Sequence, residues 1–302
     1  MNGSTDTSKY HLPAGTSCRG PYDLDVTPES AGWGHSGLKI LTLGPGEAHA
    51  LSTGDSEFLV LPLRGGCTVT VGGEVFELQG RSGVFDSATD FAYLPHTTEA
   101  LLRSASGGTF ALPSARTGGP AQPARYGPKE NVPVELRGAG ACSRQVNNYC
   151  LPGTFEAEQL LVCEVLTPGG NWSSYPPHKH DQARTDADGN PVESELEEIY
   201  YFEIAEGPDG RPGFGYQRVY GTEERPLDVL AEVRSGDTVL IPHGWHGPSI
   251  AAPGYDLYYL NVMAGPGQDR AWLICDDPAH GWVRGTWASQ DVDDRLPFGE
   301  QR

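Results

Sequence analysis

Two histidines, His178 and His180, stand two residues apart in the run P-P-H-K-H. Side chains on an extended strand alternate between faces, so both imidazoles would leave on one side and a single ion could take both. Past an acidic connection containing Gly189, Asn190 and Pro191 comes Glu197-Glu198-Ile199-Tyr200-Tyr201-Phe202, aromatic and β-branched enough to be the next strand. Alternation puts Glu198 with Tyr200 and Phe202 on one face, and Glu197 with Ile199 and Tyr201 on the other, so either carboxylate could reach the histidines. A further pair, His243 and His246, sits in the turn I-P-H-G-W-H. Three imidazoles and one carboxylate form a mixed N/O donor set for a divalent first-row ion: zinc first, manganese and iron next. An H-x-H pair by itself carries little, because two histidines beside a Pro-Pro turn can equally be exposed or structural.

The elements that must position these groups read as strands. The chain has 302 residues, 40 of them glycine and 25 proline. Its apolar runs are short and cut by turn residues, and long amphipathic helices are missing, which predicts an all-β architecture. Strand-like runs crowd residues 38–112, with a tight hairpin expected at Gly72-Gly73. The Pro/Gly/Ala/Arg-rich segment from Pro113 to Val132 reads as a linker, dividing a first domain, 1–125, from a second, 126–302. A faint repeat links Glu57-Phe58-Leu59-Val60-Leu61 to Glu198-Ile199-Tyr200-Tyr201-Phe202, so the domains are expected to be two related β-barrels. The first has His49, Glu57 and His96 but no H-x-H, and is expected to hold no metal. Residues 1 to about 30 read as a polar arm, on the surface or against a second copy of the chain, which leaves a homo-oligomer open. The aromatic tail, 270–287, reads as a short helix or a docked extension.

Net charge and cysteines narrow the function classes. Against 21 basic residues stand 40 acidic ones, a net charge of −19 that repels nucleic acid and anionic membranes, so an anionic substrate would need a locally basic pocket. Six scattered cysteines without a C-x-x-C pair, and no signal-like opening, fit a reduced cytoplasm. No run approaches the roughly 20 apolar residues of a membrane helix.

The order P-P-H-x-H, a Glu heading an aromatic strand, then G-D-T-V-L-I-P-x-G-W-H resembles the two motifs of the cupin superfamily, double-stranded β-helix barrels. The resemblance places His178, His180 and Glu198 in the first motif and Gly236, Pro242, Gly244 and His246 in the second. It favours Glu198 over Glu197, which is left to a surface or supporting role. In many cupins the second-motif histidine stands one position later, so His243 remains the rival of His246. With SSYPPHKHD, LEEIYYF, GFGYQRVY and HGPSIAAPGYDLYYLNVMAGP, the C-terminal half is similar to the bicupin uronate isomerase family, a layout covering roughly residues 30–290.

That resemblance implies a bicupin of two jelly-roll barrels, one divalent metal in the second, and an aldose–ketose isomerisation without redox cofactor. The implied substrate is a small uronate, 5-deoxy-D-glucuronate going to 5-dehydro-2-deoxy-D-gluconate in inositol catabolism. Moving a carbonyl from C1 to C2 needs either an enediol, with a base near C2, or a hydride shift. Tyr200, on the Glu198 face, is the candidate to exchange a proton, the alternative being an aromatic that fills the core. Gln217 and Arg218 face opposite ways, and Arg218 is the more useful against a carboxylate, unless it is a surface ion-pair residue. Tyr258, Tyr259 and Asn261 complete the wall. A cupin dioxygenase, a uronate isomerase of different range and a non-catalytic sugar-binding cupin are the rival readings.

Overall fold

The computed structural model describes residues 6–267 and 269–299. The predicted runs pair antiparallel into two large sheets, one per half of the chain. In the first half, the strands Arg125–Gly127, Phe91–Leu94, Ser56–Val71, Gly108–Arg116, Ser36–Leu43 and Tyr22–Val26 lie side by side in that order. The strand Ser56–Val71 is long enough to serve twice. Its beginning pairs with Phe91–Leu94, and its end crosses over to pair with Glu74–Arg81 and Glu99–Arg103. A register shift between Gly65 and Cys67 marks the bend, where an irregular residue lets a strand turn a corner. The hairpin turn is Gly72-Gly73 as expected, both with positive φ (57° and 90°), which the twist of a two-residue β-turn demands.

In the second half, seven strands run in the order His11–Leu12, Thr238–Ile241, Glu197–Ile204, Leu257–Ala264, Leu161–Thr167, Arg144–Cys150 and Val134–Arg137. A four-stranded sheet, Trp172–Ser173, Ser249–Ala251, Gly215–Tyr220 and Asp228–Val233, closes over one face. Buried side chains fall into three clusters. Leu41, Val60, Val69, Leu102 and Phe110 fill the first half, and Val146, Val165, Phe202, Val219 and Tyr259 fill the second. The third joins the halves: Leu59, Leu61 and Tyr93 meet Val162, Leu166, Tyr201, Tyr258 and Leu260. Strands such as Leu161–Thr167 and Leu257–Ala264 are therefore buried at every position, each large apolar side chain contributing about 1.5–3 kcal/mol. Their sequences are apolar for that reason, apart from the buried polar residues Glu164, Thr167 and Asn261.

Two segments differ from the sequence expectation, and a third, the tail, matches it. About a third of the expected linker is ordered in the first sheet: Gly108–Arg116 runs into it, and Arg125–Gly127 pairs with Phe91–Leu94. Its Pro and Ala content hides strands that have almost no alternation. The N-terminal arm adds His11–Leu12 to the edge strand Thr238–Ile241 of the second sheet, where Asp237 holds it by His11 (2.9 Å) and the Ala14 amide (2.8 Å). The tail docks, with Cys275–Asp276 pairing to His178–Lys179 and a 3-10 helix over Gly281–Ser289. Among the described residues, no helix is long and apolar enough to cross a membrane.

Candidate metal centre

His178 and Lys179 form a two-residue strand held on both sides. One edge pairs with Cys275–Asp276; on the other, His178 and His246 exchange backbone hydrogen bonds of 2.9 and 2.8 Å. This bridge places two imidazoles from distant sequence side by side. Beyond it, the Leu196 amide donates to the His180 carbonyl, and Glu198 is fixed in the middle of the seven-stranded sheet between Ile241 and Met263. The turn before His246 is anchored as well: the Gly244 amide donates to Asp181 (2.8 Å), and Trp245 and Tyr220 exchange backbone bonds.

The side chains of His178, His180 and His246 converge, their ligand nitrogens within 4.8 Å of one another, and all three residues are buried. Glu198 Oε2 lies 2.9 Å from His246 Nε2 and 3.2 Å from His180 Nε2, and those two nitrogens are 3.1 Å apart. Bonds of about 2.0–2.1 Å to one ion, at tetrahedral or octahedral angles, separate neighbouring donors by roughly 2.8–3.4 Å. The observed spacings fit that shell. They fit neutral imidazoles hydrogen-bonded to one another poorly, since His246 spends its Nδ1 proton on the Gly244 carbonyl (2.8 Å) and turns a bare Nε2 to the centre. Burial, then the neighbouring His246 and His180, hold His178 well below the usual imidazole range, so its nitrogens are free to ligate. Burial pushes the Glu198 carboxyl up, but the His180 and His246 imidazoles close beside it outweigh that and the net shift is downward. The donor set suits a divalent cation and is unoccupied by any competing ion-pair partner from lysine or arginine among the described residues.

The remaining sequence candidates separate by strand face. Tyr200 is fully buried beside the centre, 6.2 Å ring to ring from His246 and stacked at 4.8 Å on Tyr259. Burial, with Glu198 nearby, raises its phenol well above the usual value, so it stays protonated. Asn148, Cys163, Asn261 and Tyr200 form one row across the sheet on this inner face, and Asn148 Oδ1 and Asn261 Nδ2 have no hydrogen-bond partner. Gln217 is also inside; its Oε1 accepts from Ser249 and its Nε2 is unpartnered.

Arg218 is not brought to the site. It points outward to Asp228 (2.5 Å) and to the Val219 and Val229 carbonyls, the surface ion-pair alternative. Tyr258 is on the opposite face of its strand, in the cluster between the halves and under Arg81. Tyr258 and Tyr259 look alike in sequence because their strand is buried at every position, whereas the strand of Arg218 alternates and Arg218 stands on its outer side. Glu197 is neither solvated nor at the site, because it accepts the amides of Gly34, His35 and Ser36 and so stitches the first half to the second. His243 stays outside the group, and Lys179 turns away to Asp181 and Glu193, both at 2.6 Å. In the first half, Glu57 accepts the Tyr93 hydroxyl and the amides of Glu158, Gln159 and Leu160, while His49 meets Tyr22 and His96 meets Thr97. Sequence reading passed over Arg144 and Asn148; the signal was the spacing R-x-V-x-N, polar groups two residues either side of an inward valine.

Comparison with known proteins agrees with this layout. A 5-deoxy-glucuronate isomerase of Geobacillus kaustophilus (strain HTA426) is 43% identical over 260 residues, 85% of this chain and 89% of that protein. The crystal structure of an IolB-like protein from Salmonella typhimurium LT2 superimposes with a TM-score of 0.81 at 33% identity, covering 91% of this chain and 98% of that one. Oxalate decarboxylase of Bacillus subtilis, a structure described for its Mn(II) centres, shares the fold alone, with a TM-score of 0.56 and 12% identity over 83% of this chain and 74% of that one. The fold is thus all-β and bicupin. The KduI/IolB family pattern matches residues 11–283, and the chain belongs to that family.

Proposed function

We propose that the protein is a metal-assisted aldose–ketose isomerase that converts 5-deoxy-D-glucuronate to 5-dehydro-2-deoxy-D-gluconate in the cytoplasmic catabolism of inositol. The observation that carries this reading is the buried His178–His180–His246 group with Glu198, found in a chain 43% identical to a 5-deoxy-glucuronate isomerase. His178, His180, His246 and Glu198 would hold the ion; its N₃O donors suit zinc first, with manganese and iron as alternatives. When bound, such an ion acts as a Lewis acid on adjacent carbonyl and hydroxyl oxygens.

The chain's own residues do the rest. Tyr200, kept protonated by burial, presents a hydroxyl donor at the centre, fixed by its stack on Tyr259. It can give a proton to O1 and recover one from O2 as the carbonyl moves from C1 to C2, while the C2 hydrogen passes to C1 as a proton or a hydride. Asn148, Asn261 and Gln217 offer unpartnered amide atoms on the same face, suited to the hydroxyls of an open-chain sugar, because a buried polar group gains most when a ligand satisfies it. The apolar wall of Phe202, Val165 and Met263 keeps bulk water from the reacting carbons.

The test is to incubate metal-replete protein with 5-deoxy-D-glucuronate in deuterated water and follow the product by NMR, with an oxygen electrode alongside. Formation of the 2-deoxy keto acid without oxygen uptake is expected, and deuterium at the new CH₂OH identifies the enediol route. Oxygen uptake would make the protein a dioxygenase; binding without turnover would make it a sugar-binding cupin.

A further inference from the structure

Arg144 is a buried cation that no acidic side chain neutralises among the described residues. It is 4% exposed. Its Nη1 donates to the Cys142 carbonyl (3.1 Å), its Nε has no acceptor, and the guanidinium lies 5.7 Å from the centre of the Trp287 ring. The other deeply buried guanidinium, Arg81, makes a two-pronged pair with Glu164, so the contrast is internal to one molecule. Burial lowers the Arg144 pKa to about 10, and Tyr259 is the chief group opposing it while Arg137 and Arg284 add to it. An uncompensated buried charge is costly to fold around, and the cost is recovered when a counter-ion arrives.

The face of its strand fixes where that counter-ion would sit. Arg144 and Val146 are two residues apart, and Val146 packs in the inner cluster with Tyr200, Phe202 and Tyr259. Next to this end of the barrel are the hydroxyls of Thr167, Ser173 and Tyr259, joined in a chain of hydrogen bonds. Room for the guanidinium is built into the backbone: Gly138 lacks the Cβ that would stand 2.8 Å from Arg144 Nη1. A chain with a net charge of −19 needs such a locally basic point to take up an anion.

We propose that Arg144 is the carboxylate anchor of the substrate site, its guanidinium fork holding the anionic end of the sugar acid while the carbonyl end lies at His178, His180 and His246. The assignment rests on the isomerase reading above and names the residue that distinguishes a uronate from a neutral sugar. A fork of parallel N–H donors matches a carboxylate in a way a lysine ammonium does not.

Arg144→Met and Arg144→Lys holoenzymes test it, with 5-deoxy-D-glucuronate as substrate and two competing ligands of like length, D-gluconate and neutral D-glucitol. In the wild type, gluconate should inhibit well below the concentration of glucitol required. In Arg144→Met, KM should rise about 10- to 100-fold, kcat should change less, and the two inhibition constants should converge, with metal content unchanged. Arg144→Lys should regain part of the preference for gluconate but not all of it. An unaltered KM together with a retained gluconate preference in either variant overturns the proposal, and Arg144→Lys decides alone if Arg144→Met does not fold. Wild-type protein that fails to turn over the substrate sinks the isomerase reading, while the gluconate–glucitol contrast still judges Arg144.

Discussion

Removing Arg81 should loosen the joint between the two halves. Its guanidinium, on the first half, meets Glu164, on the second, through bonds of 2.9 and 2.8 Å, with side chains 1% and 0% exposed. Glu164 also accepts from Asn147 (2.7 Å) and Tyr149 (2.8 Å), and Arg81 donates to the Pro62 and Ser87 carbonyls. In Arg81→Met the carboxylate stays buried with two neutral donors in place of a cation. Stripping one partner from a buried pair costs about 3–5 kcal/mol. For a chain of this size that is a melting temperature lower by about 5–10 °C. Glu164→Leu should cost a similar amount, because it strands the cation. The double variant should cost less than the sum, by an interaction energy of about 2–3 kcal/mol. Urea unfolding of the four proteins, followed by far-UV circular dichroism, measures the cycle. A single variant within about 1 kcal/mol of wild type, or strictly additive losses, would refute the idea that this pair is the polar clasp of the interface.

Other expectations follow from the same geometry. His180→Ala should lose bound metal and activity together, whereas Lys179→Met, which disturbs only the outer ion pairs with Asp181 and Glu193, should weaken metal retention less; metal analysis after dialysis compares them. Arg218→Ala should leave KM for the uronate within about two-fold, since its partners are Asp228 and two carbonyls at the surface; a rise as large as that expected for Arg144→Met would return it to the site. For Asp237, burial raises the carboxyl pKa but the bonds from His11 and from the Ala14 and Arg234 amides lower it further, to a net depression. A depressed folded value gives stability that is present above the unfolded value of about 3.9 and is lost as pH falls through the folded one. Acid should therefore release the N-terminal arm early, seen as faster amide exchange in residues 7–16 below about pH 4, and Asp237→Asn should show the same exchange at neutral pH.

The metal group was legible because its signal is local. H-x-H on a strand, Glu198 at the head of the next, and His246 after a Gly-containing turn each obey a spacing rule that survives whatever packs around them. What could not be read was which face is inside. Tyr258 and Tyr259 are chemically equal neighbours on a strand buried at all eight positions, so alternation, the usual guide, is erased. The strand Gly215–Tyr220 has alternation, but a functional bias toward arginine led to Arg218 although the inward set is Gly215, Gln217 and Val219. Arg144 is marked in the sequence only by the weak spacing R-x-V-x-N; that it lacks an acid partner is a fact of three dimensions. The linker reading failed where Pro113 and Ala115 sit in a paired strand, composition outweighing the ladder they join.

The sheet that carries Glu198 also serves as a party wall. One side faces the candidate centre; the other, through Val162, Leu166, Tyr201 and Leu260, is the floor on which the first half rests. The second half is consequently not a detachable catalyst. Cut free at the end of the first sheet, it would bare a broad apolar surface together with the Glu164 carboxylate stripped of its Arg81 partner, and it would associate with itself before it could bind metal. The first half, on this view, is the solvent-proofing of the half that holds the candidate metal centre.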